Sequence, residues 1–363
     1  MTSQLSFEVR PNPQARSASE RERVLEAPGF GQTFTDHMVS IDFTDGQGWH
    51  DARLEPYGPL VLDPATSVFH YAQELFEGLK AYRQANGSIV AFRPYANAAR
   101  FNASAARMAM PELPEDTFVE SLELLVQTDR DWVPTTEGHS LYLRPFMIAT
   151  QAGLGVNYPS KSYRYMVIAS PAASYFAGGV QPVSVWLSTE YTRAAPGGTG
   201  FAKCGGNYAA AFVAQRQAVA EGCDQVVWLD AVEHRYVEEM GGMNLFFVFG
   251  DRLFTPALTG TLLPGITRDS ILKFAGDLGL TVEEGRISIE EWQAGCESGE
   301  LTEVFACGTA AVVTPVGSVK GADRAWTVGD GTPGPVTLKI REELMGIQYG
   351  SRPDPRNWVH KIA

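Results

Sequence analysis

Lys203 stands in APGGTGFAKCGGN (195–207), a lysine with glycines on both sides. A lysine that forms a Schiff base must be able to lose its proton and approach a planar ring closely. Glycines suit that approach because no side chain obstructs it. The same stretch also reads as a surface lysine in a flexible glycine loop, and local sequence alone favours that plainer reading. Only seven lysines occur (Lys80, Lys161, Lys203, Lys273, Lys320, Lys339 and Lys361), so candidates for amine chemistry are few.

Two other loops could hold a phosphate. In LPGITRDS (263–270), Pro264-Gly265 delivers the chain to a helix start, which would aim the N–H groups of Ile266 and Thr267 at an anion. In FACGTAA (305–311), Thr309 sits on a tight turn between apolar strands and offers a hydroxyl. Arg93, just before Pro94, could supply counter-charge, although a strand-end arginine is commonly just exposed. VEEMGGMNLFF (237–247) puts a carboxylate before a Gly-Gly pair, where it could hold the proton of a pyridine nitrogen. Glu238 and Glu239 compete for that role, and a solvated strand-end glutamate is the plainer alternative.

Other chemistries are poorly served. Lys203 follows Ala202 and precedes Cys204, so no Walker loop is present. GLGVNY (153–158) lacks the third glycine of a dinucleotide fingerprint, the histidines have no zinc-ligand spacing, and G-x-S-x-G is absent. A net charge of −13 disfavours nucleic acid or an anionic membrane as partner. No apolar run approaches the roughly 18 residues of a membrane span. The start carries no apolar signal core, and Cys204, Cys223, Cys296 and Cys307 form no C-x-x-C pair. These features imply a cytoplasmic protein with free thiols.

The elements that would position these residues read as α+β in two domains, without regular βαβ alternation. Residues 1–177 form a small amino-terminal α+β domain, with 1–28 a polar, partly disordered tail. Residues 178–188 are a linker, and 189–363 form a larger domain carrying Lys203. FTDGQGW (43–49) marks a hairpin, and KAYRQANGSIVAFRP (80–94) a clearer one with a type I′ turn at Asn86-Gly87. A helix follows Pro94, and another spans about 115–130 with Phe118, Leu122 and Leu125 on one face. Strands are expected over 140–149, 163–170, 225–230 and 244–250. Asn207 is expected to cap a helix whose apolar face runs through Ala209, Phe212 and Val213 to a stop at Gly222. Ser288 and Glu291 have capping-box spacing.

Together these pieces resemble the branched-chain amino-acid aminotransferases, fold-type IV pyridoxal-phosphate enzymes. The resemblance covers nearly the whole chain and is carried by FGQTFTDHM (30–38), HYAQELFEGLKAY (70–82), FRPYANAARF (92–101), KCGGNY (203–208), EEMGGMN (238–244), LPGITRDS and CGTA (307–310). It implies a two-domain fold with pyridoxal 5'-phosphate between the domains, and a homodimer. Lys203 would then carry the cofactor and shuttle a proton. Tyr208 would face the cofactor's phenolic oxygen, and Glu239, rather than Glu238, its pyridine nitrogen. Arg93, Thr309 and the amides of Ile266 and Thr267 would form the phosphate cup, with Arg193 nearby.

On the substrate side, the resemblance implies an apolar pocket of Phe30, Tyr71, Phe76, Tyr142 and Tyr175. Tyr71 and the amides of Gly242 and Ala310 would meet the α-carboxylate, and Arg144 the second carboxylate of glutamate or 2-oxoglutarate. The implied reaction is reversible ping-pong amino transfer between L-leucine, L-isoleucine or L-valine and 2-oxoglutarate, in branched-chain amino-acid biosynthesis and degradation. One methylene discriminates by only about 1–3 kcal/mol, so one pocket should accept all three amino acids. Ala311 and Thr314 stand where mammalian members have a C-x-x-C pair, so no thiol switch is expected there.

Overall fold

The computed structural model describes residues 5–174 and 179–363. The chain divides into two compact units. The first comprises Met1–Ser174, Ala202–Gly205 and Ile347–Ala363, and the second Tyr175–Phe201 and Gly206–Gly346.

The first unit is a nine-stranded sheet in the order Glu8–Val9, Gly48–Pro56, His37–Thr44, Ser162–Ala172, Ser140–Ala149, Leu79–Arg83, Ile89–Phe92 and Val359–Lys361, with Glu74–Phe76 paired onto Ser140–Ala149. Ser140–Ala149 alternates between buried and half-buried residues, the period-two pattern of a strand with one face toward a core. Its neighbour Ser162–Ala172 is more deeply buried. Two helices, Pro94–Arg107 and Glu115–Thr128, supply the facing apolar stripes. Phe101, Phe118 and Tyr165 meet there with ring centroids 5.4–5.9 Å apart. The Tyr165 hydroxyl is satisfied by Ser121 Oγ at 2.9 Å, as burial of a phenol requires.

The second unit is also a nine-stranded sheet, ordered Val237–Met240, Gln225–Leu229, Val183–Ser188, Val312–Lys320, Glu303–Gly308, Met243–Phe249, Arg252–Pro256 and Thr281–Gly285, with Ala325–Thr327 paired to Val312–Lys320. Val237–Met240 also pairs with Met243–Phe249, which closes a ring of strands. Its core includes Phe247, Trp292 and Trp326 in successive edge-to-face contacts at 5.2 and 5.5 Å. The Ser288–Glu291 capping box is present and starts the helix Ile289–Ser298.

Several expectations need correction. The tail 1–28 is structured from residue 5 onward. Glu8–Val9 adds to the edge strand Gly48–Pro56, and Ser17 and Glu20 form a capping box on the helix Ala18–Glu26. The linker 178–188 contains the strand Val183–Ser188, parallel to both of its neighbours. The carboxyl terminus does not stay with the second domain, because Val359–Lys361 pairs antiparallel with Ile89–Phe92. In the hairpin, Gly87 takes a φ of 85° but Asn86 does not. The loop is therefore a turn over Gln84–Gly87, closed by Gly87 N–H donating to Gln84 O, rather than type I′. The boundary placed near Gly178 lies outside the described residues.

Candidate active site

Ala202–Gly205 groups with the first unit, while the chain on either side of it, up to Phe201 and from Gly206, belongs to the second. Lys203 N–H donates to Ser104 Oγ at 3.0 Å, and Phe76 N–H donates to Lys203 O at 3.0 Å. Gly205 N–H donates to Glu74 Oε1, and a Cβ at Gly205 would collide with that carboxylate. Gly205, two residues after Lys203, leaves room for the Glu74 carboxylate to approach the backbone. Three hydrogen bonds tie Lys203 and Gly205 to the strand Glu74–Phe76 and the helix Pro94–Arg107, so the lysine stem leaves from a fixed backbone.

Lys203 Nζ lies 4.8 Å from the centroid of the Phe76 ring. Burial pushes its amine down to about 8, helped by the Arg100 cation and opposed by Glu77. Among the expected pocket residues, Phe30 meets Tyr142 edge-on at 5.0 Å. The Arg144 guanidinium lies 4.7 Å from the Phe76 centroid and 5.4 Å from that of Tyr142, and its Nη2 donates to the Tyr142 hydroxyl at 3.3 Å. Arg144 Nε is buried without a hydrogen-bond partner. Phe30, Phe76, Tyr142, Arg144 and Lys203 therefore form one cluster.

Tyr71 stands apart from that cluster. Its hydroxyl donates to Leu154 O at 2.7 Å, and it lines a separate cavity of about 430 Å³ with Gln73, Gln151 and Tyr158. Tyr175 lies outside the described residues. Arg93 takes a left-handed conformation (φ 53°) at the start of the helix Pro94–Arg107, and its guanidinium sits 5.0 Å over the Trp358 ring.

Sequence reasoning passed over the polar group beneath the lysine. Glu77 is fully buried and accepts from Arg100 Nε (2.7 Å), Arg100 Nη2 (2.8 Å), Asn97 Nδ2 (2.8 Å) and Gly78 N (3.1 Å). Burial raises its carboxyl, but the Arg100 charge and hydrogen bonds outweigh that and hold it below the ordinary value. The available signal was the spacing Asn97, Arg100, Ser104, which places three polar residues on the stripe that Phe101 and Ala105 mark as inward.

In the second unit, Glu238 and Glu239 are successive strand residues and face opposite ways. Glu239 is 1% exposed; Arg193 Nε lies 3.1 Å from its Oε2, and Leu263 N–H donates to Oε1 at 2.5 Å. Arg193 is itself anchored by Thr261 O (2.8 Å) and Gly200 O (3.1 Å). Glu238 accepts from Thr261 Oγ1 at 2.5 Å, and burial raises its carboxyl.

The loop held by Glu239 leads directly to the helix Ile266–Phe274. Gly265 precedes it because a Cβ there would come 2.0 Å from Asn244 Oδ1. The first N–H groups of a helix have no intrahelical acceptor, so Ile266 and Thr267 offer amide donors as expected. Thr309 and Ala310 lie on the turn between the strands Glu303–Gly308 and Val312–Lys320. Tyr208 packs on Gly242, where a Cβ would stand 3.4 Å from its ring.

Asn207 does not cap a long helix. It exchanges two 2.8 Å hydrogen bonds with Thr199, and a turn at 210–211 interrupts the helix between Gly206–Ala209 and Phe212–Ala220. Phe212 and Val213 are 65% and 51% exposed, while Ala214 and Ala218 face the core. A period can mark a face without saying which face turns inward. Among the described residues, no cluster of three or more His, Cys, Asp or Glu could hold a metal, and no helix is long and apolar enough to cross a membrane.

Residues 74–319 match the family model for amino-transferase class IV. A branched-chain-amino-acid aminotransferase of Mycolicibacterium smegmatis is 60% identical, with 99% of this chain and 98% of that protein covered. A probable branched-chain-amino-acid aminotransferase of Streptomyces coelicolor is 57% identical, with 99% of each covered. The crystal structure of the Escherichia coli branched-chain amino acid aminotransferase superposes with a TM-score of 0.74 at 30% identity, covering 90% of this chain and 100% of that one. The branched-chain amino acid aminotransferase of Thermobaculum terrenum, solved in its PLP form, gives 0.74 at 25% identity, covering 92% and 100%.

Proposed function

The chain belongs to the class IV aminotransferases and, among them, to the branched-chain amino-acid aminotransferases, and from that premise we propose the reaction and the residues that perform it. It is a pyridoxal-phosphate-dependent transaminase that moves an amino group reversibly between L-leucine, L-isoleucine or L-valine and 2-oxoglutarate. The observation that carries this reading is Lys203, a lysine on a clamped backbone whose amine is held near 8.

The residues suit the cofactor chemically. Glu239 is a buried, fixed carboxylate able to keep a pyridine nitrogen protonated, and the helix start at Ile266 offers amides to a phosphate. When bound, pyridoxal 5'-phosphate supplies the electron sink for breaking the substrate's α-C–H bond.

In our assignment, Lys203 binds the cofactor covalently and carries the proton from the substrate's α-carbon. Tyr208 donates to the phenolic oxygen, and Arg193 holds Glu239 in place. Arg93, Thr309 and the amides of Ile266 and Thr267 take the phosphate. Phe30, Phe76, Tyr142 and Tyr175 meet the apolar side chain, and the Gly242 and Ala310 amides meet the α-carboxylate, whereas Tyr71, which lines a separate cavity, is left out of the assignment. Arg144 takes the second carboxylate of 2-oxoglutarate; the buried, unpartnered Nε is a donor in reserve for it.

Absorbance tests the reaction. L-leucine should discharge the visible band of the cofactor-loaded protein, and 2-oxoglutarate should restore it. A band untouched by L-leucine but discharged by D-alanine overturns the reading.

We further propose a cytoplasmic homodimer. Leu154, Val156 and Tyr158 (65%, 68% and 58% exposed) give the first unit an apolar surface that a second copy would cover. Sedimentation at twice the chain mass is expected, and a monomer at micromolar concentration overturns the dimer.

A further inference from the structure

Three elements of the first unit bring side chains to Lys203 or to the backbone beside it. The strand Glu74–Phe76 and the residue after it supply Glu74, the Phe76 ring and Glu77. The helix Pro94–Arg107 supplies Arg100 and the Ser104 hydroxyl. The strand Ser140–Ala149 supplies Tyr142 and Arg144. Gly78 makes room for Tyr142, whose hydroxyl would lie 2.0 Å from a Cβ at that position.

Within this set Glu77 and Arg100 are unusual. Both ends of the pair are sequestered, with side chains 0% and 9% exposed, and Glu77 accepts four hydrogen bonds in all. A buried ion pair is weak evidence of stabilisation, since a well-packed apolar pair often does as well. The contacts also have a direction. Ser104 donates to Arg100 O at 2.9 Å and accepts from Lys203 N at 3.0 Å, so the turn of helix that carries Arg100 also fixes the lysine backbone.

We propose that Glu77 and Arg100 are positioning residues for amino transfer, a fixed buried pair that sets the proton affinity of the Lys203 amine. Arg100 opposes the ammonium form, and Glu77 anchors Arg100 while limiting how far that opposition goes. Burial alone would leave the amine's proton affinity dependent on how much water enters the site. A fixed cation and anion adjust it further through rigid geometry. Arg100 has the larger influence of the two, with Tyr142 adding to the effect of Glu77 and Arg144 to that of Arg100. This inference rests on Lys203 being the cofactor lysine.

The test reads protonation directly in the cofactor-free full chain, by NMR titration of lysines carrying 13C at Cε. Seven lysines make a tractable spectrum, and the resonance lost in Lys203→Ala assigns the signal. Glu77→Gln should lower the Lys203 midpoint by about half a pH unit, and Arg100→Met should raise it by about one. Arg100→Lys, which keeps the charge, should leave it within about 0.3 units of the parent.

Opposite signs are the signature of an electrostatic role. Midpoints that stay put, or move the same way in both variants, overturn the proposal and leave the pair a structural support. Removing one partner of a buried pair can cost about 3–5 kcal/mol, so a single variant could unfold. The double variant Glu77→Gln/Arg100→Met strands no buried charge and should move the midpoint upward by less than Arg100→Met alone; an unmoved midpoint there also overturns the proposal. Cofactor capture is read separately by absorbance. A Lys203→Ala protein that still bound the cofactor covalently would overturn the underlying assignment, not this pair.

Discussion

Lys203→Ala should give a folded protein that no longer captures pyridoxal 5'-phosphate covalently and transfers amino groups at least about 10⁴-fold more slowly. The loss is large because one side chain has two tasks, anchoring the cofactor and carrying a proton at the substrate's α-carbon. Folding should survive, because the contacts that hold this segment are made by the backbone of Lys203 and Gly205, which alanine at 203 retains.

The unaltered protein should show the matching pH signature. An ordinary lysine near 10.5 is a free amine in only about one molecule per thousand at pH 7.5. An amine near 8 is free in about a quarter of molecules at that pH. The neutral amine is the nucleophile, so capture of the cofactor by the cofactor-free protein should quicken as pH rises and level off above about 8. Stopped-flow absorbance checks this, and a rate still climbing steeply at pH 10 would mean that the amine is not held down.

What was legible in the sequence follows from chemistry that few residue types can perform. Lys203 is one of seven lysines, and a carboxylate before Gly241-Gly242 had only two candidates. Strands with a half-buried face were legible because alternation over 140–149 survives in any packing. Contacts that depend on a particular distant partner were not legible. Nothing periodic marks Ala202–Gly205 as belonging with the first unit; that follows from Ser104 and Glu74 reaching a backbone roughly a hundred residues away in sequence.

Burial of charge was hidden for a similar reason. Glu77 and Arg100 look like ordinary surface residues until helix and strand are docked, and only their bidentate pairing makes burial tolerable. The outward turn of Phe212 and Val213 reversed the expected face because Ala214 and Ala218, being small, fit against Trp186 and Trp228. Hydrophobicity ranks the larger residues first, whereas the space available beneath this helix selects the smaller ones.

Glu239→Gln should lower the rate of amino transfer by about 10²–10³-fold, while Glu238→Gln should change it by less than about 3-fold. The two carboxylates are neighbours on one strand, so a general effect of altering this strand would touch both alike. Their surroundings differ. Glu239 is fixed by Arg193 and by the Leu263 amide, and a glutamine could keep one hydrogen bond but not the charge that holds a proton on a ring nitrogen. A factor of 10²–10³ corresponds to about 2.7–4.1 kcal/mol of lost transition-state stabilisation. Burial raises the Glu238 carboxyl above its ordinary value, so loss of its charge costs less there, and an amide can still accept from Thr261. Glu239→Gln also strands the buried Arg193 cation, which is 8% exposed, and should lower stability by about 3–5 kcal/mol. Single-turnover rates with L-leucine and urea unfolding, measured on both variants, separate the two effects. Equal rate losses in Glu238→Gln and Glu239→Gln would remove Glu239 from its assigned role.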